Sequence, residues 1–114
     1  MQGSVLRFYV HEGDRHGHRL LWEWLMEQAN NLGVRGGSVF RAMAGFGRQH
    51  VLHERKFFEL ASSQVLNVEF VVTEAEAQQL LALVQQEKLR LFYACFPVRF
   101  GVVDPGSTAP PDLS

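Results

Sequence analysis

A chain of 114 residues, 46% apolar and 20% charged, has the composition of one ordinary globular domain, long enough to bury its own core and too short for two. Its formal net charge of −1 excludes the strongly basic face that nucleic acid recruits, so neither DNA nor RNA is expected as a ligand. Cys95 is the single cysteine, which excludes an internal disulfide and points to a cytoplasmic setting. No apolar run approaches the roughly 18 residues of a membrane helix, so direct membrane insertion is not expected.

In chain order, residues 1–4 read as a short N-terminal arm without the basic and apolar regions of a secretion signal. From Val5 to Glu12, Leu6, Phe8 and Val10 alternate with Arg7, Tyr9 and His11, the period of a strand with one buried face. Gly13-Asp14-Arg15-His16-Gly17 reads as a loop. Leu21, Trp24, Leu25, Ala29 and Leu32 then recur at helical spacing, and Gly33 stands at the C-cap. Trp22 and Met26 widen that stripe beyond what one sheet face requires, which leaves apolar surface for another subunit.

Ser38 to Ala44 has a strand's composition and runs into Gly45-Phe46-Gly47. Residues 48–64 read as a long protruding loop, although Phe57, Phe58 and Leu60 would also suit an extended hairpin. Leu66, Val68, Phe70 and Val72 repeat the logic of the first strand, and Thr73 with Glu76 forms a capping box ahead of a helix with the inner stripe Ala77, Leu80, Leu81 and Val84. Lys88 and Arg90 suit that helix's C-terminal dipole. Leu91 to Val103 supplies a last strand that Pro97 confines to an edge or bends. Cys95, between Ala94 and Phe96, reads as a small buried apolar residue. Residues 104–114 read as a disordered tail, so the domain is residues 5–103.

Two strand, helix, strand units in succession predict an α+β fold, the ferredoxin-like βαββαβ sandwich with a four-stranded antiparallel sheet and both helices on one face. The other face, with Tyr9, Phe40 or Met43, Val71 and part of the last strand, is then too apolar for a monomer, and a homo-oligomer packed sheet to sheet is expected.

Three constellations bear on chemistry. Gly45-Phe46-Gly47-Arg48 at a strand end suits an anion cradle, in which glycines turn successive amides toward a phosphate and arginine grips it, and Arg41 and Glu12 count with it as candidate ligand-binding residues; the same glycines suit a plain bulge or turn. His50 and His53, with His16 and His18 from another loop, suit a Zn or Cu site, or are solvated loop histidines. Glu12 and Asp14 have the types needed for acid and base roles, or for capping the next helix. No nucleophile elbow, phosphate loop with its lysine, or paired-histidine metal helix is present, and no enzyme is expected.

The stretches Leu6-Arg7-Phe8-Tyr9-Val10-His11-Glu12 with Asp14, Leu20-Leu21, Gly36-Gly37-Ser38-Val39-Phe40-Arg41-Ala42, Gly45-Phe46-Gly47, Leu52-His53 and Val68-Glu69-Phe70-Val71 occur in this order. Through them, over roughly Leu6 to Val103, the chain resembles the small PII-like proteins of unknown function, relatives of the nitrogen regulatory PII signal transducers. The resemblance implies a homotrimer, with the segment from Gly47 to Gln64 as the loop that touches a target protein. It also implies intersubunit clefts for a small ligand such as an adenine nucleotide, with Gly45, Gly47 and Arg48 at the loop's base. A membrane transporter is a further implied partner. The loop carries no tyrosine to accept a uridylyl group and the last strand no clear basic phosphate-binding turn, two departures from the PII pattern.

Overall fold

A computed structural model describes residues 1–46, 52–54, 64–111 and 113. The strands β1 (Gln2–His11), β4 (Gly37–Arg41), β7 (Val65–Val72) and β8 (Phe92–Arg99) form one antiparallel sheet in the order β4-β7-β1-β8. The helices α1 (Leu21–Asn31) and α2 (Glu74–Gln86) cross on one face, so the architecture is the ferredoxin-like βαββαβ sandwich. Two short-strand pairings complete it: β2 (Arg15–His16) with β3 (Arg19–Leu20), and β5 (Ala44–Phe46) with β6 (Leu52–Glu54), the latter strand inside the segment read as one long loop. No helix of the described residues is long and apolar enough to cross a membrane.

Alternation builds the core. Leu6, Phe8 and Val10 of β1 and Leu66, Val68, Phe70 and Val72 of β7 point under the helices, where Leu21, Trp24, Leu25 and Ala29 of α1 and Ala77, Leu80 and Val84 of α2 close over them. The register pairs Leu6 with Phe70 and Phe8 with Val68, and the Phe8 and Phe70 rings meet edge to face with centroids 6.5 Å apart. Each such buried side chain contributes about 1.5–3 kcal/mol relative to an exposed one. β1 begins at Gln2, ahead of the alternating pattern, because Ser4 is buried opposite Val72 and Gly3 lies against the Val72 carbonyl, where a Cβ has no room.

Both helices carry identifiable end devices. At Thr73 the hydroxyl accepts from the Glu76 amide (3.2 Å) and the Glu76 carboxylate accepts from the Thr73 amide (2.9 Å), the predicted capping box. α1 has no side-chain cap, and its first amide, Leu21, donates instead to the Asp14 carbonyl at 2.7 Å. The β2–β3 ribbon delivers that contact, turning at Gly17 (φ +65°), the first turn position that a type II′ hairpin reserves for glycine. α1 ends in a Schellman motif, with Gly33 at φ +83° donating to Asn30 and Val34 donating to Ala29, both at 3.1 Å.

β8 is an edge strand, which accommodates Pro97 opposite Ser4. The helices cover β1 and β7 and leave β8 largely bare on both sides, so Cys95 is exposed rather than buried. Its apolar neighbours Ala94 and Phe96 do not bury it, because the strand that carries all three is itself largely uncovered.

Candidate functional site

Two regions gather the residues with chemical potential. The first is the end of the sheet where β1 leaves and β7 enters. The Glu12 amide donates to the Gln64 carbonyl (2.8 Å) and the Ala42 amide to the Val65 carbonyl (2.9 Å), so the chain after β1 and the chain after β4 are both pinned to the start of β7. This brings Arg41 Nη2 onto Glu12 Oε1 in an ion pair between residues 29 positions apart. The Glu12 side chain is 19% exposed and that of Arg41 49%, so the guanidinium faces solvent in front of the carboxylate. Glu12 Oε2 is shut off from solvent and has no hydrogen-bond partner among the described residues.

The other predicted site residues are distributed as follows. Gly45 lies in β5 opposite His53; its φ is not positive and a Cβ there would meet nothing within 4 Å, so its backbone is ordinary extended strand. Gly47, Arg48 and His50 lie outside the described residues. His16 Nε2 pairs with Glu87 Oε1 at 2.9 Å, and its ring stands edge-on to Trp24 at 4.7 Å, fastening the β2–β3 ribbon to the end of α2. His18 is exposed at the ribbon turn, its carbonyl accepting from Arg15 at 3.1 Å. Asp14 closes a turn, its Oδ2 accepting from the His11 amide at 3.0 Å. Among the described residues no three His, Cys, Asp or Glu side chains stand close enough to hold a metal ion.

The second region is the open face of the sheet. The register places Tyr9 beside Phe92, Arg7 between Glu69 and Ala94, Val5 between Val71 and Phe96, and Phe40 beside Asn67. Phe92 is 74% and Phe40 53% exposed. At the centre, Arg7 Nε donates to Glu69 Oε2 (2.6 Å) and Nη1 to the Tyr9 hydroxyl (3.2 Å), while the guanidinium lies 5.3 Å from the Phe96 ring centroid. The hydrogen bonds to Tyr9 and Glu69 raise the Arg7 pKa above its ordinary value, and the group stays cationic at every accessible pH. Alternation along β1 makes Arg7 outward-facing; its partner Glu69 needed the β1–β7 register. A groove of about 730 Å³ runs beside this face, walled by Arg35, Ser38, Phe40, Glu69, Phe100 and Val102, with Arg35 stacked 5.5 Å from the Phe100 centroid. It escapes a sequence reading because its walls come from β4, β7 and the residues after β8, which lie far apart along the chain.

Residues 3–91 match the DUF190 family, described as Uncharacterized ACR, COG1993. The chain belongs to the DUF190 family. A relative of this DUF190 chain by sequence is the UPF0166 protein of Aquifex aeolicus (strain VF5), 31% identical over 78 residues, which are 68% of this chain and 74% of the relative. Among solved structures, the DUF190 protein is similar to CPII, a nitrogen regulatory PII-like protein from Thiomonas intermedia K12 bound to ADP, AMP and bicarbonate. The TM-score is 0.68 at 14% identity, covering 90% of this chain and 91% of CPII. It is also similar to a candidate PII-like signaling protein from Thermus thermophilus, with a TM-score of 0.63 at 19% identity, covering 86% and 88%. The DUF190 chain therefore has the PII-like form of the ferredoxin-like fold.

Proposed function

We propose that this chain is the subunit of a trimeric PII-like signalling or adaptor protein that binds an adenine nucleotide in a cleft between subunits and contacts a target protein through the segment 47–64. The observation that carries the reading is the open sheet face: a 74%-exposed Phe92 and a 53%-exposed Phe40 flank an ordered Arg7–Glu69 pair, an arrangement suited to cover by further copies. Such packing puts the strand ends that carry Arg41, Glu12 and Gly45 near the seams. The similarity to a PII-like protein bound to ADP and AMP supports the ligand class. Gly47 and Arg48 belong to the proposed site through the sequence pattern. Ligand occupancy would act by changing the surface shown to the target, and a transporter in a membrane is one such target.

The test combines light scattering with calorimetric titration of ADP, ATP and cyclic AMP into the wild type and an Arg48→Ala variant. The reading expects a trimer mass and saturable binding that Arg48→Ala weakens. A single-chain mass, or no saturation at millimolar nucleotide, discards it. The metal reading gains no observation, because His16 is engaged with Glu87.

A further inference from the structure

We propose that Glu12 is a built-in competitor for Arg41, holding the guanidinium until a phosphate-bearing ligand takes it. The inference rests on the nucleotide reading above and concerns how that same site is regulated.

Three observations carry it. Backbone hydrogen bonds of Glu12 and Ala42 to the start of β7 hold the two backbones in place, so the sheet itself brings Glu12 within reach of Arg41. Arg41 is half exposed, and an incoming anion reaches it without opening the core. The Glu12 carboxylate uses one oxygen on Arg41 while the other is desolvated without a partner among the described residues.

A carboxylate held in that way regains hydration when it lets go, which offsets part of the ion pair it loses. The guanidinium fork matches a phosphate's oxygens in two parallel hydrogen bonds, whereas Glu12 uses only one oxygen here. Ligand arrival thus exchanges one anion for another on Arg41, and Glu12 turns toward water. Nucleotide affinity is set below what Arg41 alone would give.

The experiment is calorimetric titration of ADP into the full wild-type chain, Glu12→Gln, Glu12→Ala, Arg41→Ala and the Glu12→Gln, Arg41→Ala double variant at one fixed ionic strength. Thermal unfolding shows that each is folded. Removing the competitor tightens ADP binding about two- to fivefold, the range of an exposed ion pair. Glu12→Ala repeats the gain without an amide that can still accept from Arg41. Arg41→Ala weakens binding about tenfold or more, the scale of a lost charge-assisted contact. In the Arg41→Ala background, Glu12→Gln changes nothing. Unchanged or weaker binding by both Glu12 variants overturns the competition and leaves the nucleotide reading standing. So does the same gain without Arg41, since Glu12 would then act by general repulsion. A wild type that never saturates removes the nucleotide reading and this inference with it.

Discussion

Lys88 adopts φ +60°, in the left-handed region where a Cβ crowds the backbone. It closes α2 as Gly33 closes α1: its amide donates to Gln85 at 3.0 Å and that of Leu89 to Val84 at 3.3 Å. A glycine there removes the strain, offset in part by its greater freedom when unfolded. Lys88→Gly is therefore expected to stabilise the domain by about 0.5–1 kcal/mol, read as a higher denaturation midpoint in urea at unchanged slope. Gly37 is the opposite case. A Cβ on it would meet the Phe70 ring at 2.6 and 2.7 Å and the Met26 sulfur at 3.2 Å, and Phe70 is locked between Phe8 and the helices. Gly37→Ala is expected to cost about 1–3 kcal/mol in the same assay, the usual penalty of overpacking. A neutral result would mean that the edge strand β4 yields instead.

At the scale of elements, each secondary structure forms for a reason that differs in how visible it is along the chain. β1 and β7 alternate because only one face is covered, and that period survives in the residues themselves. The α2 start is written in two residues, Thr73 and Glu76. Thr73→Ala is expected to lower stability by about 1 kcal/mol, with hydrogen exchange accelerating at the first-turn amides before the rest of α2. The β2–β3 ribbon was hidden because strands of two residues are too short to show a period, so 13–20 reads as loop apart from the glycine at 17. β8 misleads for another reason. It is apolar on both faces, so its composition suggests burial, while its place at the sheet edge exposes Cys95. The candidate site was legible as residue types only. Arg41 and Glu12 are separated by 29 positions, and their contact exists because β1 and β4 both flank β7, a fact of sheet order that no local pattern encodes.

Over the whole molecule, one imbalance remains: two helices cover one side of a four-stranded sheet, and the other side has no cover among the described residues beyond the turn of chain after β8. Its residues are not random surface. Arg7 is held by Glu69, Tyr9 and the Phe96 ring, so the polar centre of the face is ordered before any partner arrives and loses little conformational freedom on association. Around it, the apolar rings offer the burial that would drive the proposed assembly. Phe92 separates assembly from folding, because at 74% exposure it contributes little to the protomer's core, although its ring lies 5.4 Å from that of Tyr9. On the proposed trimer, wild type scatters light as three copies of the 13.0 kDa chain, and Phe92→Asp, which places a charge at the seam, drops to the mass of one with its circular dichroism preserved. A variant that keeps the trimer mass would show that the assembly uses another surface, and a wild type that is already a single chain would show that this face is not a subunit interface at all.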